Sequence, residues 1–146
     1  MSRYTFAENL KIEYLKLKIK EIRFLEFEIS NTKDEIVKID TKLTKVSSIN
    51  YEICLEKHNS YKNNENSILN DLLDKKMNLE RKIDILSKEL SFGTKLLNSL
   101  SPNVSKIAKD LFINKYTMNK ICFKYHVTNP YQMINDELRY LDIDKF

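Results

Sequence analysis

Apolar residues recur along this chain in alternating steps of three and four. Over residues 66–91, Leu69, Leu72, Leu79, Ile83, Leu86 and Leu90 keep that rhythm, with Lys76 in the one place that lacks an apolar side chain. Such a rhythm is the seam of a helix that packs lengthwise on another helix. Shorter seams appear at Ile36, Ile39, Leu43 and Val46, and at Ile12, Leu15, Ile19 and Ile22. The polar run HNSYKNNEN, residues 58–66, predicts the loop between the second and third segments. Thr32 stands three residues before Glu35, the spacing of a capping box, so a helix start near Asn31 competes with one helix running from about residue 5 to 57. No Gly or Pro marks a break there, which favours an unbroken or kinked helix. Phe24 and Phe27 lie beside Leu25 and Ile29, and either widen the buried face or form a seam with a second chain. A hairpin with arms of unequal length leaves one stripe uncovered, so a homodimer is expected.

The last third changes character. Ser101-Pro102 reads as a helix start, and Val104, Ile107, Ala108, Leu111 and Phe112 follow as one stripe. Thr117 can cap a short helix over 118–125 whose inward positions are Met118, Ile121, Cys122 and Tyr125. Val127 supplies an apolar residue in the following turn. Asn129-Pro130 then starts a third helix carrying Tyr131, Ile134, Leu138 and Leu141. Three short helices, with a small residue where two cross and an apolar residue in the turn, describe a helix-turn-helix. The expected fold is therefore all-α: a long heptad-patterned helical hairpin or coiled coil over residues 1–92, then a C-terminal helix-turn-helix over 93–146.

Composition narrows the chemistry. One Gly and two Pro in 146 residues leave little material for hairpin turns or phosphate-cradling loops. The formal charge of +4 permits nucleic acid without demanding it. Charges interrupt every apolar run near the N-terminus, and no run reaches the length of about 18 residues that a membrane span needs. A cytoplasmic protein is expected. Cys54 and Cys122 have no Cys or His at ligand spacing and read as reduced thiols. His58 lies among Asn residues in the polar run and reads as solvated. Asp and Glu are scattered along helix faces as partners of Lys. No catalytic arrangement, metal-ligand cluster or cofactor loop can be read, so no enzyme is expected.

The run from Phe112 to Thr128 resembles the C-terminal signature of phage-encoded transcription regulators of the RinA/ArpU type, whose helix-turn-helix is similar to region 4 of bacterial sigma factors. Phe112-Ile113, Thr117, Ile121-Cys122, Tyr125-His126-Val127 and Thr128 stand at the family's spacings. The resemblance implies a DNA-binding transcriptional regulator, phage or prophage encoded, acting on double-stranded DNA. His126 occupies a place where the family usually has Gly and positive φ is wanted, which His tolerates better than most residues. Asn129, Gln132, Asn135 and Arg139 lie off the third helix's apolar stripe and are the expected base contacts, because Asn and Gln suit adenine and Arg suits guanine. Lys115, Lys120 and Lys124 are the expected phosphate contacts. The third helix carries one Arg against Asp136 and Glu137, which suits protein contact better than DNA. The alternative is therefore a module that binds and modulates a host protein, such as RNA polymerase or a defence factor.

Overall fold

The computed structural model of the chain describes residues 3–56 and 60–145, with side chains over residues 3–45 and 67–144. All regular structure in these residues is helical: six α-helices and no strand. They are α1 (Phe6–Lys20), α2 (Ile22–Glu56), α3 (Ser60–Ser99), α4 (Pro102–Ala108), α5 (Met118–Tyr125) and α6 (Pro130–Tyr140). A π-helical turn, Lys109–Ile113, continues α4, and a 3-10 turn, Ile143–Lys145, follows α6. Among the described residues, no helix is long and apolar enough to cross a membrane.

Helix boundaries bear on the sequence expectation in three places. The capping box is at Thr5 and Glu8, where the Thr5 hydroxyl accepts from Glu8 N (3.1 Å) and the Glu8 carboxylate accepts from Thr5 N (3.3 Å). Thr32, the candidate for a competing start near Asn31, is buried inside α2 and donates its hydroxyl to the Glu28 carbonyl at 2.7 Å, as the unbroken reading requires. A threonine inside a helix can bond back one turn in this way, so the Thr-x-x-Glu spacing alone does not distinguish start from middle. The described part of the expected loop at 58–66 is helical, because α3 already begins at Ser60. Its Asn and Ser residues are poor helix formers but contain no breaker, and an established helix extends through such residues at small cost. His58 lies outside the described residues.

As favoured by the lack of Gly or Pro, no break falls near Asn31; among the described residues the helix is interrupted only at Glu21, between α1 and α2. Glu21 keeps right-handed dihedrals (φ −76°, ψ −13°), donates to Leu17 O (3.0 Å) and accepts from Leu25 N (2.8 Å). The seam pattern explains the position. Ile12, Leu15, Ile19 and Ile22 form one seam, and Ile22, Leu25, Ile29, Thr32, Ile36, Ile39 and Leu43 form another whose phase is displaced by two successive steps of three. An extra step of three locally overwinds a packed helix, and here it falls beside Glu21. Gly93, the only glycine, occupies the α3 seam position that meets this point. A Cβ there would come within 2.9 Å of the Lys18 carbonyl oxygen and 3.0 Å of Ile22 Cγ1, so only glycine lets the helices come this close.

The chain forms two compact units, residues 27–87 and residues 1–26 together with 88–146. In the first, α2 and α3 run antiparallel, tied by Lys76–Asp40 at 2.7 Å and Lys82–Glu28 at 3.6 Å. Ile29, Thr32 and Ile39 are buried, whereas Leu69, Leu72, Leu79, Ile83 and Leu86 are half-buried, as expected of a seam covered by one partner helix. The second unit has a many-sided core. Leu15 and Ile19 of α1, Leu96 of α3, Ile107 and Ala108 of α4, Ile121 of α5, and Ile134 and Leu138 of α6 meet in it with at most 1% of their surface exposed.

Candidate nucleic-acid interface

The second unit carries all the residues expected to contact DNA. α5 starts as predicted, with the Thr117 hydroxyl accepting from Lys120 N at 3.3 Å. It ends at His126, whose φ of 55° and ψ of 44° are left-handed. Val127 N then donates to Cys122 O at 3.2 Å, closing the helix end. Cys122 is a free, partly buried thiol, and Ile121 beside it is fully buried. Asn129 caps α6 by accepting from Gln132 N at 3.2 Å, and Pro130 takes the first helical position.

Ser101 does not cap α4, contrary to the sequence expectation. Its hydroxyl and backbone N–H both donate to the Glu137 carboxylate, at 2.8 and 2.7 Å. A carboxylate is a stronger acceptor than a hydroxyl, and this pair fastens the start of α4 to α6.

The π-helical turn after α4 sets up a second polar anchor. Asn114 N donates to Lys109 O at 3.0 Å and Tyr116 N to Asp110 O at 2.9 Å, which aims the Asp110 side chain inward. Asp110 is 7% exposed, and its carboxylate accepts from Asn114 Nδ2 (2.8 Å), Lys124 Nζ (2.9 Å) and the Tyr125 hydroxyl. Burial by itself would raise this carboxyl, but the donors from Tyr125, Lys124 and Asn114 outweigh it and hold it below its ordinary range. The same hydrogen bond to Asp110 raises the Lys124 ammonium. Burial first, then the bond to Asp110, raises the Tyr125 phenol.

The expected contact residues divide by what already holds them. Lys115 is exposed, in the left-handed region at φ 54° between the π turn and α5. Lys120 is exposed and rests its ammonium 4.0 Å from the centre of the Tyr116 ring. Lys124 is about half-exposed but ion-paired with Asp110. Asn129 and Gln132 stand together on the first turn of α6, with Asn129 Nδ2 donating to Gln132 Oε1 at 3.3 Å. They line a shallow groove with His126, Val127, Thr128, Met133 and Asp136. Asn135 and Arg139 lie elsewhere. Asn135 Oδ1 is buried without a hydrogen bond inside the protein. Arg139 Nε is ion-paired with Glu8, and its guanidinium stacks over the Tyr4 and Tyr140 rings at 5.5 and 5.3 Å.

Four N-terminal residues absent from the sequence expectation thus fasten the later turns of α6. Besides Glu8, the Tyr4 hydroxyl donates to Asp136 Oδ1 at 2.6 Å, and Arg3 approaches Asp136 Oδ2 at 3.9 Å. Lys11 Nζ donates to the carbonyls of Arg139 (3.1 Å) and Leu141, which closes the α6 C-terminus with a cation. The capping signal Thr-Phe-Ala-Glu at 5–8 could have placed this helix start, but no local pattern shows that its acid would meet an arginine 131 residues later.

Charge is unevenly placed in this unit. Residues 101–128 contain five lysines and a single acid, Asp110, which is buried and paired. Residues 129–146 contain four acids against Arg139 and Lys145. Within residues 101–146 the excess of cations therefore lies in the α4–α5 segment. No protein-family model matches the chain, and no curated protein or solved structure matches it either.

Proposed function

We propose that the chain is a DNA-binding transcriptional regulator that uses α5, the His126 turn and α6 as a helix-turn-helix. The observation that carries this reading is the charge placement: five lysines and one neutralised acid in residues 101–128, beside a first turn of α6 that presents Asn129 and Gln132. A recognition helix reads bases with its N-terminal residues while the preceding helix crosses the phosphates. Asn129 and Gln132 take the base edges, and Lys115 and Lys120 take phosphate. Lys124 reaches phosphate only by sharing itself with Asp110, and Arg139 orients α6 through Glu8.

Fluorescence anisotropy with duplexes from the protein's own locus, across several salt concentrations, tests the reading. Gln132→Ala is expected to weaken the true site by about 1–3 kcal/mol and to relax preference there. Lys120→Ala should weaken all duplexes alike and lower the salt slope by about one. Absence of binding at low salt, where phosphate contacts are strongest, removes the DNA reading. Its place passes to a module that grips a host protein, a reading supported by Phe123, which is 83% exposed between Lys120 and Lys124 on α5.

A further inference from the structure

α1 is apolar on two opposite sides. Ile12, Leu15 and Ile19 are buried in the core, yet Leu10, Leu17 and, beyond Glu21, Phe24 are 57%, 50% and 60% exposed. These three are seven residues apart, a spacing that drifts only about 20° per step around a helix, so they form one narrow stripe. Phe6, 79% exposed, extends it by one turn. A stripe of this kind on a helix edge is the half of a seam that a second helix completes.

We propose that the occupant is the same stripe of a second copy, laid antiparallel with Leu17 against Leu17 on the two-fold axis. Leu10 of one copy then lies opposite Phe24 of the other, each seven residues from the axis. Charge complementarity selects this partner and this direction. Glu13 and Lys20 flank the stripe on the same side, four residues before Leu17 and three after it. The two-fold brings Glu13 of each copy to Lys20 of the other, so the ion pair forms twice. Both groups are exposed; Glu13 reaches Lys16 at 3.6 Å on its inner side, and Lys20 rests over the Phe112 ring at 5.3 Å. The proposal requires no DNA and stands apart from the DNA reading.

Sedimentation equilibrium of the full chain tests it. The wild type should be a reversible dimer. Leu17→Glu places two carboxylates face to face in the seam and should weaken the dimer by more than roughly a hundredfold, with an unchanged helical circular-dichroism spectrum because Leu17 is not in the core. Glu13→Lys or Lys20→Glu alone sets like charges together twice and should weaken it roughly tenfold, while the double reversal should restore it. A monomeric wild type, a dimer indifferent to Leu17→Glu, or a double reversal that fails to restore association would each overturn the proposal.

Discussion

The two units bury their apolar residues in different ways. In residues 27–87 the described seam side chains face one neighbouring helix, and among them only Ile29, Thr32 and Ile39 are buried. In the other unit, side chains from α1, α3, α4, α5 and α6 converge, and Leu15, Ile19, Leu96, Ile134 and Leu138 lose all contact with solvent. A repeating seam can be long without being deep, whereas a convergent core is deep because helices arrive from several directions. The same substitution should therefore cost different amounts in the two places.

The largest contrast is between Leu138 and Ile83. Leu138→Ala empties space enclosed on every side and should cost about 3–5 kcal/mol, because the surrounding helices cannot all collapse into it. Ile83→Ala removes a side chain that water already half reaches and should cost about 1–2 kcal/mol. Urea titrations of the two variants followed by circular dichroism would measure the gap. Equal costs would mean that the seam is as tightly enclosed as the core. Native-state hydrogen exchange sharpens the same contrast, with amides of α6 expected to outlast those of α3 around Ile83.

Asp110 comes next, as the polar counterpart of that core. Asp110→Asn removes the charge that Lys124 and Tyr125 address and should cost about 2–3 kcal/mol at neutral pH. The folded carboxyl is held below its ordinary range, so its contribution is present above the unfolded value near about 4 and is lost as the pH falls through the folded one. Wild type and variant should thus converge in acid. Lys124 and Tyr125 are both raised, so the wild-type advantage should also fade as the pH climbs above about 10. Thermal melts of both proteins from acid to alkaline pH check the two limbs; a difference that persists unchanged into acid would show that the anchor is not electrostatic.

Gly93→Ala has a smaller effect whose sign decides something. In an open helix the change would gain about 1 kcal/mol of propensity. Here the new methyl would sit 2.9 Å from a backbone oxygen, an atom that moves only if the helix moves. Overpacking of about 1–3 kcal/mol should win, leaving a net loss near 1 kcal/mol. A stabilised variant in a thermal melt would show that the approach of Lys18 and Ile22 is looser than the geometry requires.

Local patterns in the sequence carried most of the helices and little of what joins them. The seams, the Thr117 and Asn129 caps and the left-handed His126 all depend on residues within one or two turns, so spacing revealed them. The Ser101 cap failed, and the Thr32 spacing offered a false alternative, because the acceptors that take these hydroxyls, the Glu137 carboxylate on another helix and Glu28 O inside the same one, leave no local mark. The candidate site divides in the same way. Asn129 and Gln132 are brought together by one helical turn, while Arg139 was removed from the free set by Glu8, a partner fixed only by tertiary packing. The lone glycine was visible in the composition, but its purpose needed the second helix beside it.

The smallest expected effect lies at the charged gap in the hairpin seam. Lys76 stands where Leu72 and Leu79 predict an apolar residue, and its ammonium meets Asp40 at 2.7 Å. That hydrogen bond raises the Lys76 ammonium above its ordinary value. Both partners are well exposed, at 31% and 48% of their side-chain surface, so solvent screens most of what the pair gains. A leucine would continue the seam between its neighbours and cover part of the half-buried face that the lysine leaves wet. Lys76→Leu should therefore raise the melting temperature slightly while removing the salt dependence of this pair. Lys76→Leu in the Asp40→Asn background separates the two contributions: if the gain comes from covering the seam, it should survive there unchanged. A lowered melting temperature would instead mean that the ion pair holds the register of the hairpin, a role its exposure does not predict.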